Sequence, residues 1–385
     1  MNNNKFIPFA LPCFDETEIN EVVDTLRSGW LTTGPKAKRF EEEFAQFIGI
    51  PYALAVNSCT AGLHLALEAV GIQPGDQVIT TPYTFTATAE VIRYLGAKPL
   101  FVDIDPNTFN IDCQQISHLL EQVSGIKAIL PVHFGGQACD MSAILALANR
   151  YSLKVVEDAA HALPTYYQGR IIGSLGDITV YSFYVTKTLA TGEGGMVVTA
   201  NPDYAERIRV MRLHGINREV FDRNEAWFYE VVAPGFKYNL TDIAAALGIH
   251  QLHKAHAFLQ RRTVIAARYT AGLAGLPLQT PYVHPDSTHA WHLYVIQLKL
   301  EDLTIDRNTF IEKMTTAGIG TSVHFIPLHL QKYWQESYHF RPTDFPVAVK
   351  VYQRAVSLPI YPCMSDPDVD RVIMTVRRIL TEAQR

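Results

Sequence analysis

The chain has 385 residues, 48% hydrophobic and 18% charged, enough to bury a large core shared between a major and a minor domain. A net charge of −5 and a pI near 6.3 give no electrostatic reason to expect nucleic acid or an anionic membrane as partner. No run is long enough to span a bilayer and only a short apolar stretch follows Met1 to Lys5, so no leader is expected and the cytoplasm is the expected location.

In chain order, the pattern predicts a helix over 40–47, an apolar run at 52–56 and a helix over 60–70. Strands at 77–80, 99–102, 128–132, 154–157, 178–182 and 196–199 then alternate with helices at 86–95, 112–122, 141–151 and 203–214. Such alternation means an α/β fold with a large, mainly parallel sheet covered by helices on both faces, here over residues 14–250. A helix beginning near Thr241 leads into a long segment, 251–273, that bridges to a second domain. After Pro277 a strand at 291–300 and helices at 307–317 and 366–383 read as a small α+β domain, 251–385, against which residues 1–13 are expected to pack. No repeat, low-complexity tract or flexible linker interrupts the chain.

The stretch from Tyr181 to Gly195 carries the most chemistry, because it sets Lys187 between an apolar run and the glycine-rich Thr191-Gly192-Glu193-Gly194-Gly195. A lysine held out of bulk water loses part of its preference for the charged form, so its neutral amine can attack a carbonyl. Most lysines are solvated surface residues, so Lys187 needs partners elsewhere. One is an acid: the run Lys154-Val155-Val156 ends in Glu157-Asp158, which delivers carboxylates to the C-terminal edge of a strand, where open α/β sheets place their ligands. Strand alternation points these two residues to opposite faces, so only one of them meets a ligand. Another is a phosphate site: Asn57-Ser58-Cys59-Thr60-Ala61-Gly62 opens a helix with small residues whose backbone N–H groups suit an anion. Ser182 could add a hydroxyl, and Phe85, in Thr81-Pro82-Tyr83-Thr84-Phe85-Thr86, could cover a flat ring or be ordinary core.

Together these segments resemble the DegT/DnrJ/StrS-type sugar-nucleotide aminotransferases, which share the aspartate aminotransferase fold of enzymes dependent on pyridoxal 5′-phosphate (PLP). The resemblance runs from Ser28-Gly29-Trp30 to Tyr361-Pro362. It implies that Lys187 is the lysine that anchors PLP covalently, that Asp158 pairs with the pyridine nitrogen and that His161 lies beside the cofactor. It further implies that Phe85 stacks on the ring, that Thr60, Ala61 and Ser182 contact the phosphate, and that Asn239 reaches the phosphate of a neighbouring subunit, making a homodimer with shared active sites. Thr33, His324 and His329 fall in segments that resemble the substrate mouth, and for each a plain turn or loop role is the alternative. Cys59 in the phosphate turn and Tyr184, where many relatives carry His, depart from the pattern without removing a needed group.

The partners implied are an amino acid donor, L-glutamate, and a nucleotide-linked 4-keto sugar in cell-surface polysaccharide or lipid A synthesis, with the UDP-4-amino-4-deoxy-L-arabinose branch nearest. A 3-keto acceptor on dTDP and a regulator without turnover are the alternatives, whereas the family's dehydratase branch carries histidine in place of the lysine. Fourteen histidines invite a metal, but no His-x-x-x-His pair flanks a helical glutamate, and none is expected. The five cysteines, Cys13, Cys59, Cys113, Cys139 and Cys363, are odd in number, scattered and without a CxxC, which predicts neither a disulfide framework nor a zinc site.

Overall fold

A computed structural model describes residues 5–217 and 228–385, so Met1 to Asn4, part of the stretch read above for a leader, lie outside the described residues. The first two helices, α1 (Glu16–Ser28) and α2 (Pro35–Ile48), both stop at glycines in the left-handed region, Gly29 (φ 74°) and Gly49 (φ 74°). An Asp15/Glu18 capping box starts α1, a helix the sequence pattern missed. The large sheet then begins with β1 (Tyr52–Val56), α3 (Cys59–Ala69), β2 (Gln77–Thr80), α4 (Ala87–Tyr94), β3 (Lys98–Phe101), α5 (Cys113–Gln122), β4 (Ile126–Ile129), α6 (Met141–Tyr151) and β5 (Lys154–Asp158). A small hairpin, β6 (Tyr166–Tyr167) and β7 (Arg170–Ile171), precedes β8 (Ile178–Ser182), β9 (Gly195–Thr199) and α7 (Pro202–Met211).

Seven strands pair in the order β1-β9-β8-β5-β4-β2-β3. From β8 to β3 every pairing is parallel, whereas β9 runs antiparallel to both β1 and β8. An apolar run reveals a strand but not its direction, which is set by the short return through the Lys187 loop. One face of the sheet buries Phe40, Phe44, Ile144 and Ile249, and the other buries Leu63, Leu67, Ile92 and Ile208. Helix α3 lies unusually close to the sheet: a Cβ on Gly62 would stand 2.6 Å from Val180 Cγ1.

The expected 251–273 segment divides at Lys254 into α8 (Asp242–His253) and α9 (Ala255–Gly272). Beyond it a second sheet pairs β10 (Leu278–Gln279), β12 (Tyr294–Leu298) and β13 (Ala355–Leu358), while β11 (Ser287–Thr288) joins the β6–β7 hairpin. Helices α10 (Arg307–Thr316), α11 (Lys332–Tyr338), α12 (Pro346–Arg354) and α13 (Asp366–Ala383) complete this half. The strand expected from residue 291 starts only at Tyr294, because Trp291 takes a left-handed backbone (φ 53°) that no strand accepts.

Near the N-terminus, Ile7 bridges Ile319 and joins the apolar cluster of Tyr269, Phe310 and Val376. The cysteine reading needs correction: Cys13 and Cys363 form a disulfide with Cα atoms 5.8 Å apart, although 350 positions separate them in sequence. Their spacing carried no sign of this, because only the return of the N-terminal segment onto the C-terminal half brings the two together. Among the described residues no helix is long and apolar enough to cross a membrane.

Candidate active site

The C-terminal ends of β1, β2, β4, β5 and β8 open onto one region, and each contributes through the loop that follows it. After β8 the chain folds back on itself: Phe183 N–H donates to Gly194 O (2.9 Å), Thr191 N–H to Phe183 O (2.9 Å) and Lys187 N–H to Tyr184 O (2.8 Å). Gly194 (φ 158°) is required there, since a Cβ would stand 2.5 Å from Thr191 Oγ1. The closed loop holds Lys187 half-buried among Asp158, Cys59 and His161, and desolvation lowers its amine to about 8, against the opposing pull of Cys59 and Asp158. The Cys59 thiol is pushed well up by burial and by the Asp158 charge, so it competes poorly as a nucleophile.

The last residue of β5, Asp158, is buried, and burial raises its carboxyl. Thr88 Oγ1 (2.8 Å) and Ala160 N–H (3.1 Å) donate to it and oppose that rise, as do the charges of Lys187 and His133. Glu157 faces the other way, where it bonds His133 Nε2 (2.9 Å), Thr179 Oγ1 (2.7 Å) and Gly176 N–H (2.8 Å). It is thus satisfied within the sheet, and Asp158 alone is left to the open side.

Ser58 caps α3 by accepting from Ala61 N–H (3.1 Å), placing Thr60 and Ala61 in its first turn beside the end of β1. Gly195 leaves this turn open, since a Cβ would stand 2.9 Å from Cys59 N and 2.8 Å from Tyr181 O. Ser182 accepts from Tyr184 N–H (3.3 Å) at the end of β8. The N-terminus of α3, with the Cys59 and Thr60 N–H groups outside the Ser58 cap, a side-chain-free glycine and a hydroxyl make a cradle for a phosphate dianion. With a half-buried amine and a buried carboxylate beside it, the donor set fits PLP.

Other expected site residues line the approach. His161 Nδ1 accepts from Gly135 N–H (3.2 Å), and burial, Lys187 and His324 hold its ring neutral, well below the usual histidine range. His324, whose Nδ1 meets Ser357 Oγ at 2.8 Å, is lowered to about 3 by burial and by Lys187. Phe85 is 61% exposed, its ring 6.1 Å from Phe325. Asn239 bridges Val56 and donates from Nδ2 to Thr33 Oγ1 (2.6 Å), which places both beside the end of β1. His329 does not join this group: it is fully buried, its ring 4.9 Å from that of Phe345. Three residues beyond the sequence reading belong to the region, namely Thr88, Phe325 and His292. Thr88 falls in the helix expected over 86–95, directly after the stretch read around Phe85, but no local signal assigns the other two to the site.

The chain matches the DegT/DnrJ/EryC1/StrS aminotransferase family over residues 12–377. It is 51% identical over 385 residues to the spore coat polysaccharide biosynthesis protein SpsC of Bacillus subtilis, covering 99% of this chain and 98% of that one. Among solved structures it resembles Spr1654 of Streptococcus pneumoniae, assigned as a sugar aminotransferase and solved in its PMP form (TM-score 0.91, 34% identity, 98% of this chain and 99% of that one). Helicobacter pylori PseC, an aminotransferase involved in the biosynthesis of pseudoaminic acid, matches with a TM-score of 0.91 at 28% identity over 98% of this chain and all of that one (100%).

Proposed function

The chain belongs to the DegT/DnrJ/EryC1/StrS aminotransferase family, and from that premise we propose that it is a PLP-dependent enzyme moving an amino group from L-glutamate to a nucleotide-linked 4-keto sugar. The observation that carries the transaminase reading is Lys187, half-buried and lowered to about 8 at the strand edge that also presents Asp158. PLP, when bound, supplies an electron-accepting ring that lets the amine of donor or product exchange with a carbonyl.

The chain's own residues do the rest. The first turn of α3, with Ser182, would hold the phosphate, and Asp158, oriented by Thr88 and Ala160, would balance positive charge on the ring nitrogen. Phe85 would cover the ring, and His161, whose Nδ1 already accepts from Gly135, would have Nε2 left to donate. The Lys187 amine would anchor PLP covalently and, once freed by the donor, would move a proton from the donor's Cα to the cofactor, and in the second half-reaction from the cofactor to the sugar carbon.

Asn239 is proposed to reach a second copy's phosphate, so that the active unit is a homodimer. Mixing inactive Lys187→Ala chains with inactive Asn239→Ala chains should then restore part of the activity, whereas a fully active monomer in sedimentation refutes it.

Support for a sugar acceptor comes from SpsC and PseC, whose names place them in polysaccharide and pseudoaminic acid synthesis. For the sugar itself, the 4-keto pentose leading to 4-amino-4-deoxy-L-arabinose stands first and a 4-keto hexose second. One methyl in a sugar pocket is worth only ~1–3 kcal/mol. The test offers UDP-4-keto-pentose, UDP-4-keto-6-deoxyhexose and dTDP-4-keto-6-deoxyglucose with L-glutamate and compares kcat/KM. Preference for a hexose overturns the pentose, amination at C3 overturns the regiochemistry, and no amino transfer to any of them overturns the sugar assignment.

A further inference from the structure

His161 does not stand alone. Phe85 faces Phe325 (6.1 Å), Phe325 is stacked on His161 (5.9 Å, 18° between planes), and His161 lies against His292 (4.4 Å, 38°). This row of four rings runs from the open mouth to the interior and ends at His292, which is 5% exposed. Its Nδ1 is closed off without a hydrogen-bond partner, so the ring face rather than that nitrogen is what the side chain offers its neighbour.

The backbone that delivers His292 is held under strain. Trp291, a bulky residue, sits at φ 53°, a conformation that persists only where the surroundings impose it. Four hydrogen bonds do so: Trp291 N–H to His289 Nδ1 (2.8 Å), Arg262 Nη1 to Trp291 O (3.0 Å), Ala290 N–H to Gly136 O (2.9 Å) and Leu293 N–H to Gly135 O (3.0 Å). The turn that accepts the last two also supplies the N–H that fixes His161 Nδ1. Gly136 (φ 105°) permits the approach, since a Cβ there would stand 3.0 Å from Ala290 Cβ and 3.1 Å from Trp291 N. Both histidines thus hang on the Gly135–Gly136 turn and meet with their rings 4.4 Å apart, tilted by 38°.

We infer that His292 is a positioning residue that acts through His161, its ring bracing the His161 imidazole so that Nε2–H stays aimed at the Lys187 site. The inference rests on the reading of His161 as a cofactor neighbour. A ring that tilts away misplaces its donor, and misplacements of that size cost on the order of 10–100-fold.

The experiment compares wild type, His161→Ala, His292→Ala, His292→Phe and the His161→Ala/His292→Ala double variant by the visible absorption band of the PLP-loaded protein and by kcat/KM. His292→Ala is expected to shift the band and lower kcat/KM by roughly 10–100-fold. His292→Phe, which keeps a ring face, is expected to recover most of both, and the double variant to match His161→Ala. If His292→Ala does not fold, His292→Gln, which lacks a ring at similar volume, takes its place against His292→Phe. An unshifted band in the ringless variant, failure of phenylalanine to rescue, or a further loss in the double variant overturns the inference. A wild-type band in His161→Ala overturns the reading of His161 itself, and with it any role exerted through that residue.

Discussion

Replacing Lys187 by alanine is expected to lower turnover by about 10³-fold or more, since one amine serves as both covalent anchor and proton carrier and no other described lysine shares its setting. The loss should persist at saturating PLP, because the α3 cradle and Asp158 still bind the cofactor. Borohydride reduction of the loaded wild-type protein followed by peptide mapping should find the pyridoxyl group on Lys187, and a label on another lysine defeats the assignment. The pH dependence of loading gives an independent check. An amine near 8 is neutral in about a tenth of molecules at pH 7, against roughly one in 3,000 for an ordinary lysine. The rate of loading should therefore rise with pH and level off just above 8. A rate still climbing toward pH 10.5 would show that burial does not perturb Lys187.

Asp158→Asn is expected to cost about 10²–10³-fold in kcat, a typical loss when one preorganised electrostatic group is removed from a water-poor site. The amide keeps the shape and can still accept from Thr88 Oγ1, so the protein should fold and bind PLP; what disappears is the negative charge. Thr88→Val should be milder, since it removes one of the two hydrogen bonds that orient the carboxylate and leaves the charge in place. Because burial raises the Asp158 carboxyl, the wild-type enzyme should lose activity toward acid pH as that group protonates, and Asp158→Asn should lack this limb. An asparagine variant within tenfold of wild type in kcat would show that the charge does not matter.

What the sequence made legible was local. Asp158 could be placed because a β-branched strand ends there, and Ser58-Cys59-Thr60 because capping residues precede a helical run. The alternation of Glu157 and Asp158 anticipated their opposite partners, His133 on one face and Thr88 on the other. Meetings between distant segments left no local trace. Phe325 reaches His161 from 164 positions further along the chain, and Trp291 adopts a backbone that its own side chain disfavours, imposed by Arg262 and by the Gly135–Gly136 turn. His329, read as a substrate-mouth residue or a plain loop residue, is instead buried against Phe345, a placement with no local trace either. The direction of β9 was equally hidden, since burial of Met196, Val197 and Val198 is the same whichever way the strand runs.

The Cys13–Cys363 bond gives the chain the covalent topology of a ring with two short tails. A protease that cuts any surface loop inside that ring opens it without releasing a fragment, so the pieces migrate together until a thiol is added. The backbone could also be broken at such a loop, and the old ends joined, with little change in connectivity, because the segments flanking both cysteines are already neighbours. The weakest covalent point of that ring is the one that a reductant can reach.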